Sequence, residues 1–593
     1  MKYLLISISF FLFQLVDAQS INLAENYMNQ GEYEKANALY KQLYQKNKRN
    51  QKYLLGLSES YLELEQLAEA EKLLQTYLGN SLRYPNINVE LGQVLILQAK
   101  DEKASAEFQK ALDAVSENPN YAYSVGNAFQ QYNLLDLAIE AYERANSINP
   151  RVNYKIQLAR LYGEQGNLEK MFTNYLYLIV DNPNYLNVVS RNFNDFITKN
   201  PKNESNQLLK KTLLKMLNEA PNVIYNQLLS WLFVQEEAYK KAFAQERAIY
   251  QRSEEQSFNR LFELAEVAST SSHFEEALLV YNYIIEKAPY SSLKLKAKDA
   301  QLSLRIQFEG ASSFASIEEE YQAMITNYSP QESLFLQLNY AKFKAFQLKE
   351  RKQAIQFTKK LLAGKLNAFA EAQIKMLLAD IFVLEGKFNQ ALLYYTQIEK
   401  ILKNNELAQE ARFKVAKTSY YKGDFEWALT QLQVLKKSTS QQISNDAIEL
   451  SRHIKDNSYQ DSIQTALQKV AKADLLAFQE KNEAALSTLQ EVIKTFESEP
   501  IEDEALYRMG QINEKLGNYK QAALAYQRII DYFRADVLAD NAYFRLAEIH
   551  RLYLDQPDLA MEFYEQLIFN HQDSIFYVKS QKEYRRLRGD LID

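Results

Sequence analysis

"NQGEYEKANALY", residues 29–40, returns further along the chain as "EGKFNQALLYY" at 385–395, "KGDFEWALTQL" at 422–432 and "LGNYKQAALAY" at 516–526. Each copy keeps a glycine, an aromatic two residues on, an alanine three beyond that, and an aromatic or leucine four further. The residues between them vary. The alanines extend into a ladder: Ala36, Ala70, Ala104 and Ala138 fall at 34-residue steps, and Tyr40, Leu74, Phe108 and Tyr142 follow in step. A fifth unit arrives one residue early, with Met171 in the alanine slot and Tyr175 after it. Upstream, a large–small couple keeps phase as Leu23-Ala24, Leu57-Ser58, Leu91-Gly92, Val125-Gly126 and Leu158-Ala159. Pro85, Pro119, Pro150 and Pro183 mark the seams.

Each slot has a steric reading. Residues four apart share one face of a helix, so the alanine and the aromatic after it face the same neighbour. The alanine fits where two helix axes cross with room for one methyl group, and the small member of the couple lets a second helix approach closely. Glycine suits a left-handed turn residue between the two helices. Proline suits a seam, because it lacks the N–H that a helix interior needs. One such hairpin cannot bury its apolar face alone, so hairpins must stack.

This pattern resembles the tetratricopeptide repeat family, whose unit is a 34-residue helix–turn–helix. The resemblance implies an all-α fold: an α-solenoid of roughly a dozen stacked repeats forming a right-handed superhelix. The C-terminal stretch is similar to the longer repeats of bacterial periplasmic proteins of the cell envelope. Where those carry a Tyr-Pro-x-Ser turn, "YFRAD" (532–536) and "NHQDS" (570–574) stand here.

The register divides the chain. Residues 1–18 read as a signal peptide and 19–183 as an N-terminal array. Residues 184–256 keep a helical period without the alanine ladder and read as degenerate repeats. A middle array over 257–437 restores it, with Ala277 and Tyr281 in their slots and then Ala354, Ala391 and Ala428. A polar insert at 438–462 reads as an extra helix between loops and marks a break before the C-terminal array, 463–593. There the ladder closes with Ala485, Ala522 and Ala560.

Composition narrows the function. With only 14 Gly and 10 Pro among 593 residues, long helices are favoured over sheets. A net charge of −6 with scattered basic residues gives no stripe for nucleic acid. Zero cysteines exclude disulfides, thiolate metal sites and a cysteine nucleophile. No phosphate-binding glycine loop, His-Glu-x-x-His or Gly-x-Ser-x-Gly occurs, so no catalytic residue, metal or cofactor is expected. His550 and His571 read as ordinary surface or inter-helix residues, and Trp231 and Trp427 as packing residues. Glu318-Glu319-Glu320 reads as a helix start, and Arg585, Arg586 and Arg588 as cations of a last helical turn.

"MKYLLISISFFLFQLVDAQS" opens with one lysine and an apolar run, then closes at Ala18. It reads as a secretory signal, and the run is short for a membrane span. Export to a bacterial periplasm is the expectation, with a soluble mature chain beginning near Gln19. Function then rests on shape, because the first helices of stacked hairpins form a concave wall that takes protein or peptide segments. The family's geometry implies partner-binding positions at Glu59, Leu62 and Glu63 in the second unit and Gln93 and Ile96 in the third. It adds Tyr123, Asn127, Gln130 and Gln131 in the fourth, and Arg160 and Glu164 in the fifth. Some relatives grip a C-terminal carboxylate with a Lys–Asn pair. Here Asn127 is matched by Tyr123, so that clamp is not carried over. The expected job is a non-catalytic interaction scaffold in an envelope or outer-membrane protein complex. The alternative is a chaperone or assembly factor for outer-membrane or secreted proteins. A third reading, an enzyme site within 184–256, lacks a clustered His, Asp and Ser set.

Overall fold

The computed structural model describes residues 20–79, 84–149, 151, 153–253, 256–329, 332–403, 405–438, 440–458 and 464–590. The signal read at 1–18 and the seam proline Pro150 lie outside the described residues. Among the described residues every regular element is a helix, and the chain is an all-α solenoid. Contacts divide it into two units, 1–257 and 258–593.

In the N-terminal unit, first helices Gln51–Glu63, Asn86–Leu97, Ala122–Gln131 and Lys155–Glu164 alternate with second helices Leu67–Leu78, Asp101–Glu117, Leu135–Ile148 and Leu168–Asp181. Among the described residues, 184–256 form four further α-helices, the shortest being Leu186–Phe193. The C-terminal unit repeats the alternation, with first helices that include Ala368–Leu384, Glu406–Lys422, Thr465–Phe478, Ile501–Lys515 and Ala539–Leu552.

The alanine ladder lies in the core. Ala36, Ala70, Ala104, Ala138, Ala277, Ala354, Ala391, Ala428, Ala485, Ala522 and Ala560 are all 0% exposed. Gly126 explains the small slot most plainly. A Cβ built there would lie 2.5 Å from the ring of Tyr142, itself fully buried on the second helix of the same repeat. The hairpins close through a left-handed residue, Gly31 in the first repeat (φ +74°) and Ala99 in the third (φ +58°). An L residue there is disfavoured by roughly 1–2 kcal/mol. Ala99→Gly is therefore expected to stabilise the N-terminal unit by about 0.5–1 kcal/mol, after allowing for the freer unfolded chain. Chemical denaturation of the two proteins side by side checks it.

Asparagine also starts helices at the seams. Asn50, Asn203, Asn222, Asn367 and Asn405 each accept a backbone N–H in the first turn of the next helix, which satisfies a donor that the helix itself leaves open.

Two local readings need correction. The trio Glu318-Glu319-Glu320 does not open a helix. It lies inside Phe314–Asn327, where Glu318 pairs with Lys344 at 2.7 Å and Glu320 with Lys298 at 2.6 Å. Trp427 is not a packing residue, for it stands 48% exposed on the helix Phe425–Leu435.

Candidate interaction faces

The first helices of the N-terminal unit carry all eleven positions named for partner binding. Glu59, Glu63, Ile96, Tyr123, Asn127, Gln131, Arg160 and Glu164 are exposed, while Leu62, Gln93 and Gln130 are half-buried. They do not all stand alone. Gln130 Nε2 donates to Glu164 at 3.0 Å and so ties the fourth repeat to the fifth. Asn127 Oδ1 accepts the hydroxyl of the slot residue Tyr142 at 3.0 Å. Glu59, Glu63 and Glu164 have no cation partner among the described residues.

Between them lies a residue the register did not single out. Glu90, on Asn86–Leu97, is 6% exposed and accepts the Tyr132 hydroxyl. Burial pushes its carboxyl up to about 7; the Tyr132 hydrogen bond opposes that shift, and the Glu59 charge adds to it. Glu59 is itself raised, by burial and then by Glu63. An acid whose folded pKa lies above its unfolded value favours the fold at low pH and loses that contribution as pH rises through about 7. Glu90→Gln keeps an acceptor for Tyr132 and cannot ionise. Near pH 8 it is expected to be more stable than the parent by up to about 3 kcal/mol, and near pH 4 equal to it. Urea unfolding across that range is the check.

The same layer in the C-terminal unit is chemically different. There a carboxylate on one first helix meets a cation on the next. Asp380 pairs with Lys414 at 2.8 Å, Asp474 with Arg508 at 3.0 Å, Glu514 Oε1 with Arg545 Nε at 3.0 Å, and Glu548 with Lys579 at 3.6 Å. Slot tyrosines join the ladder. Tyr395 donates to Asp380, Tyr526 to Glu514 at 2.7 Å, and Tyr564 to Glu548. Hydrogen-bonded, partly buried pairs of this kind fix the register of neighbouring elements.

The insert has its own place. Its helix, Gln441–Asp456, buries Ile443, Ala447 and Ile454 in the same apolar cluster as Leu432, Leu435 and Leu467. His453 is 2% exposed. Its Nε2 lies 3.1 Å from the Tyr420 hydroxyl and its Nδ1 3.2 Å from Glu504. Tyr420 also donates to Asp474 at 2.8 Å, and the rings of Tyr421 and Phe478 are 6.1 Å apart, so the layer of first helices continues past the insert. Two cavities of about 410 and 430 Å³ share Phe413, Lys417, Tyr421, Asp446 and Phe478.

Tetratricopeptide-repeat family profiles match residues 27–81, 470–537 and 541–574. These stretches are tetratricopeptide repeats. Between them, Ala104, Ala138, Ala277, Ala354, Ala391 and Ala428 occupy the same buried slot. No curated protein sequence matches the chain. Among solved structures, the chain is similar to that of Naa15/Naa10 bound to HypK-THB, with 13% identity, 97% of this chain and 96% of that one covered, and a TM-score of 0.30. It is also similar to the APC/C hetero-tetramer Cut9-Hcn1, with 14% identity, 96% of each chain covered and a TM-score of 0.24. Neither score is high enough to carry a functional argument.

Tetratricopeptide repeats make an interaction scaffold. Among the described residues no group of three or more His, Asp or Glu is placed to hold a metal ion, and no helix is long and apolar enough to cross a membrane. The ion-pair ladder and the buried His453 were not read from the sequence. Their signal was an acid and a base recurring at one repeat's distance on successive first helices, as in Asp380 with Lys414 and Asp474 with Arg508.

Proposed function

We propose that this chain is a non-catalytic scaffold of the bacterial periplasm or envelope, gathering protein partners along the first-helix face of its N-terminal unit. One contrast carries the reading. That face leaves Glu59, Glu63 and Glu164 without cations and Tyr123 55% exposed, whereas the C-terminal unit neutralises its own first helices with a ladder. Carboxylates without a cation and an exposed aromatic on the same series of first helices suit a partner segment that brings lysine or arginine, since opposite charge steers encounter and the ring gives contact area. The periplasmic setting is supported by the reading of residues 1–18 and by the lack of cysteine. N-terminal sequencing of the exported protein would then begin at Gln19.

Affinity capture from an envelope extract tests the face. Specific proteins should be retained by the parent and lost when Glu59, Glu63 and Glu164 are changed together to Gln and Tyr123 to Ser. Retention unchanged by those substitutions would contradict the assignment. The exposed apolar residues Ile96 and Leu97 favour the second reading, a chaperone that holds unfolded clients. It predicts slower aggregation of an unfolded outer-membrane protein at stoichiometric amounts, and an unaltered aggregation rate removes it.

A further inference from the structure

A cavity of about 540 Å³ opens at the second repeat, and none of its described lining residues is one of the partner positions. Its lining comes from the end of helix Tyr33–Lys46, the following turn, Tyr61 of helix Gln51–Glu63 and the helix Leu67–Leu78. Tyr44, Tyr61 and Tyr77 give it an aromatic lining, together with Lys48, Arg49 and Lys72, and Glu69 is the one acid among the described lining residues. None of the three cations reaches an acid among the described residues. Two of them are placed by the turn itself, where Asn47 Oδ1 accepts the Arg49 backbone N–H at 3.1 Å. The Tyr77 hydroxyl is the telling group. Tyr77 is 1% exposed, and its oxygen has no hydrogen-bond partner among the described residues. A buried hydroxyl without a partner is disfavoured, and in a folded protein it points to something that completes it.

We propose that this cavity is a binding site for a phosphate group, held by Lys48, Arg49 and Lys72 with the Tyr77 hydroxyl donating to it. The charge fits. Among the described residues, three cations and one carboxylate leave the lining at net +2, which a phosphate dianion balances. The donor count fits as well, because two ammonium groups, a guanidinium and a phenol exceed what the two oxygens of a carboxylate accept. Burial, with Tyr84 and Tyr44 adding to it, raises the Tyr77 pKa, so the phenol stays a proton donor at neutral pH. The remaining volume and the aromatic lining leave room for the body of a phosphate ester, whether a soluble metabolite or a lipid headgroup.

The full chain is titrated with inorganic phosphate by calorimetry and by thermal unfolding. The parent should bind saturably and melt at a higher temperature in phosphate than in chloride of equal ionic strength. The triple variant K48Q/R49Q/K72Q should lose both effects, and its exposed side chains leave the fold intact. Tyr77→Phe should weaken binding by about three- to tenfold, and without phosphate it should melt no lower than the parent. Phosphate binding that the triple variant retains, or no saturable binding by the parent, overturns the proposal. Phosphatidylcholine vesicles with and without phosphatidic acid separate the sources. Sedimentation with the acidic vesicles that phosphate competes away identifies a lipid headgroup, and phosphate binding without sedimentation identifies a soluble ester.

Discussion

Tyr142→Ala is expected to cost the N-terminal unit about 3–5 kcal/mol, the range for deleting a buried aromatic side chain. Tyr142 is fully buried, its ring lies against Gly126 and Tyr154, and its hydroxyl is bonded to Asn127. Truncation therefore opens a cavity at the joint between first and second helix and leaves Asn127 without its donor. The complementary change fills the joint instead. Gly126→Ala puts a methyl group 2.5 Å from the fully buried Tyr142 ring, at a cost of about 1–3 kcal/mol despite the better helix propensity of alanine. The chain holds two units, so a single melting temperature is a poor readout. Hydrogen exchange over 122–148 is the better one. Protection there should fall by a factor of about a hundred or more for Tyr142→Ala. Residues 465–590 should be unchanged in both variants.

The second large effect is expected at Arg508. Its guanidinium bonds Asp474 at 3.0 Å and also Glu504, and Glu504 in turn meets His453 of the insert. Removing one partner of a buried pair strands the other, typically at about 3–5 kcal/mol. Arg508→Met should therefore destabilise the C-terminal unit by that order, and Arg508→Met with Glu504→Gln should recover part of it. The pH profile separates this from simple loss of packing. Burial works to raise the Glu504 carboxyl, but the Arg508 charge and the His453 hydrogen bond outweigh it and hold it below its ordinary 4.5. A depressed acid contributes stability above its unfolded value and loses it as pH falls, so the parent should weaken steeply on acidification. In Arg508→Met that acid limb should flatten. Neighbouring Asp503 runs the other way. Burial, followed by the Glu504 charge, raises it to about 7, and its unfavourable contribution grows as pH climbs towards that value. Denaturant unfolding at several pH values reads both limbs.

The packing skeleton was legible in the sequence because sterics leave it little freedom. A helix crossing with room for one methyl group accepts alanine and little else, so Ala70, Ala104 and Ala138 repeat and are wholly buried. Exposure of Glu59, Tyr123, Asn127 and Glu164 was legible for the same reason, since the phase of the buried slots fixes the opposite side of each helix, whereas Leu62, Gln93 and Gln130 are half-buried. The charge ladder was not. Asp380 and Lys414 look like any solvated pair of helix residues until the fold brings successive first helices together. Glu90 was hidden by its neighbours, for a glutamate two residues before Gly92 gives no sign that Tyr132, from the following repeat, covers it. Trp427 misled in the opposite sense, because residue type alone does not say which side of a helix faces solvent.

The central claim is that small side chains at regular helix crossings build the stack and leave the opposite face of the first helices open. The chain contains no cysteine, so single cysteines report on it without background. The direct measurement is the rate of thiol labelling of Ala70→Cys, Ala104→Cys and Ala138→Cys beside Glu59→Cys, Asn127→Cys and Glu164→Cys. The account predicts that the first three react only after denaturation, while the other three react in the native protein at the rate of a free thiol. Native-state labelling of the alanine positions as fast as in the unfolded chain would contradict it.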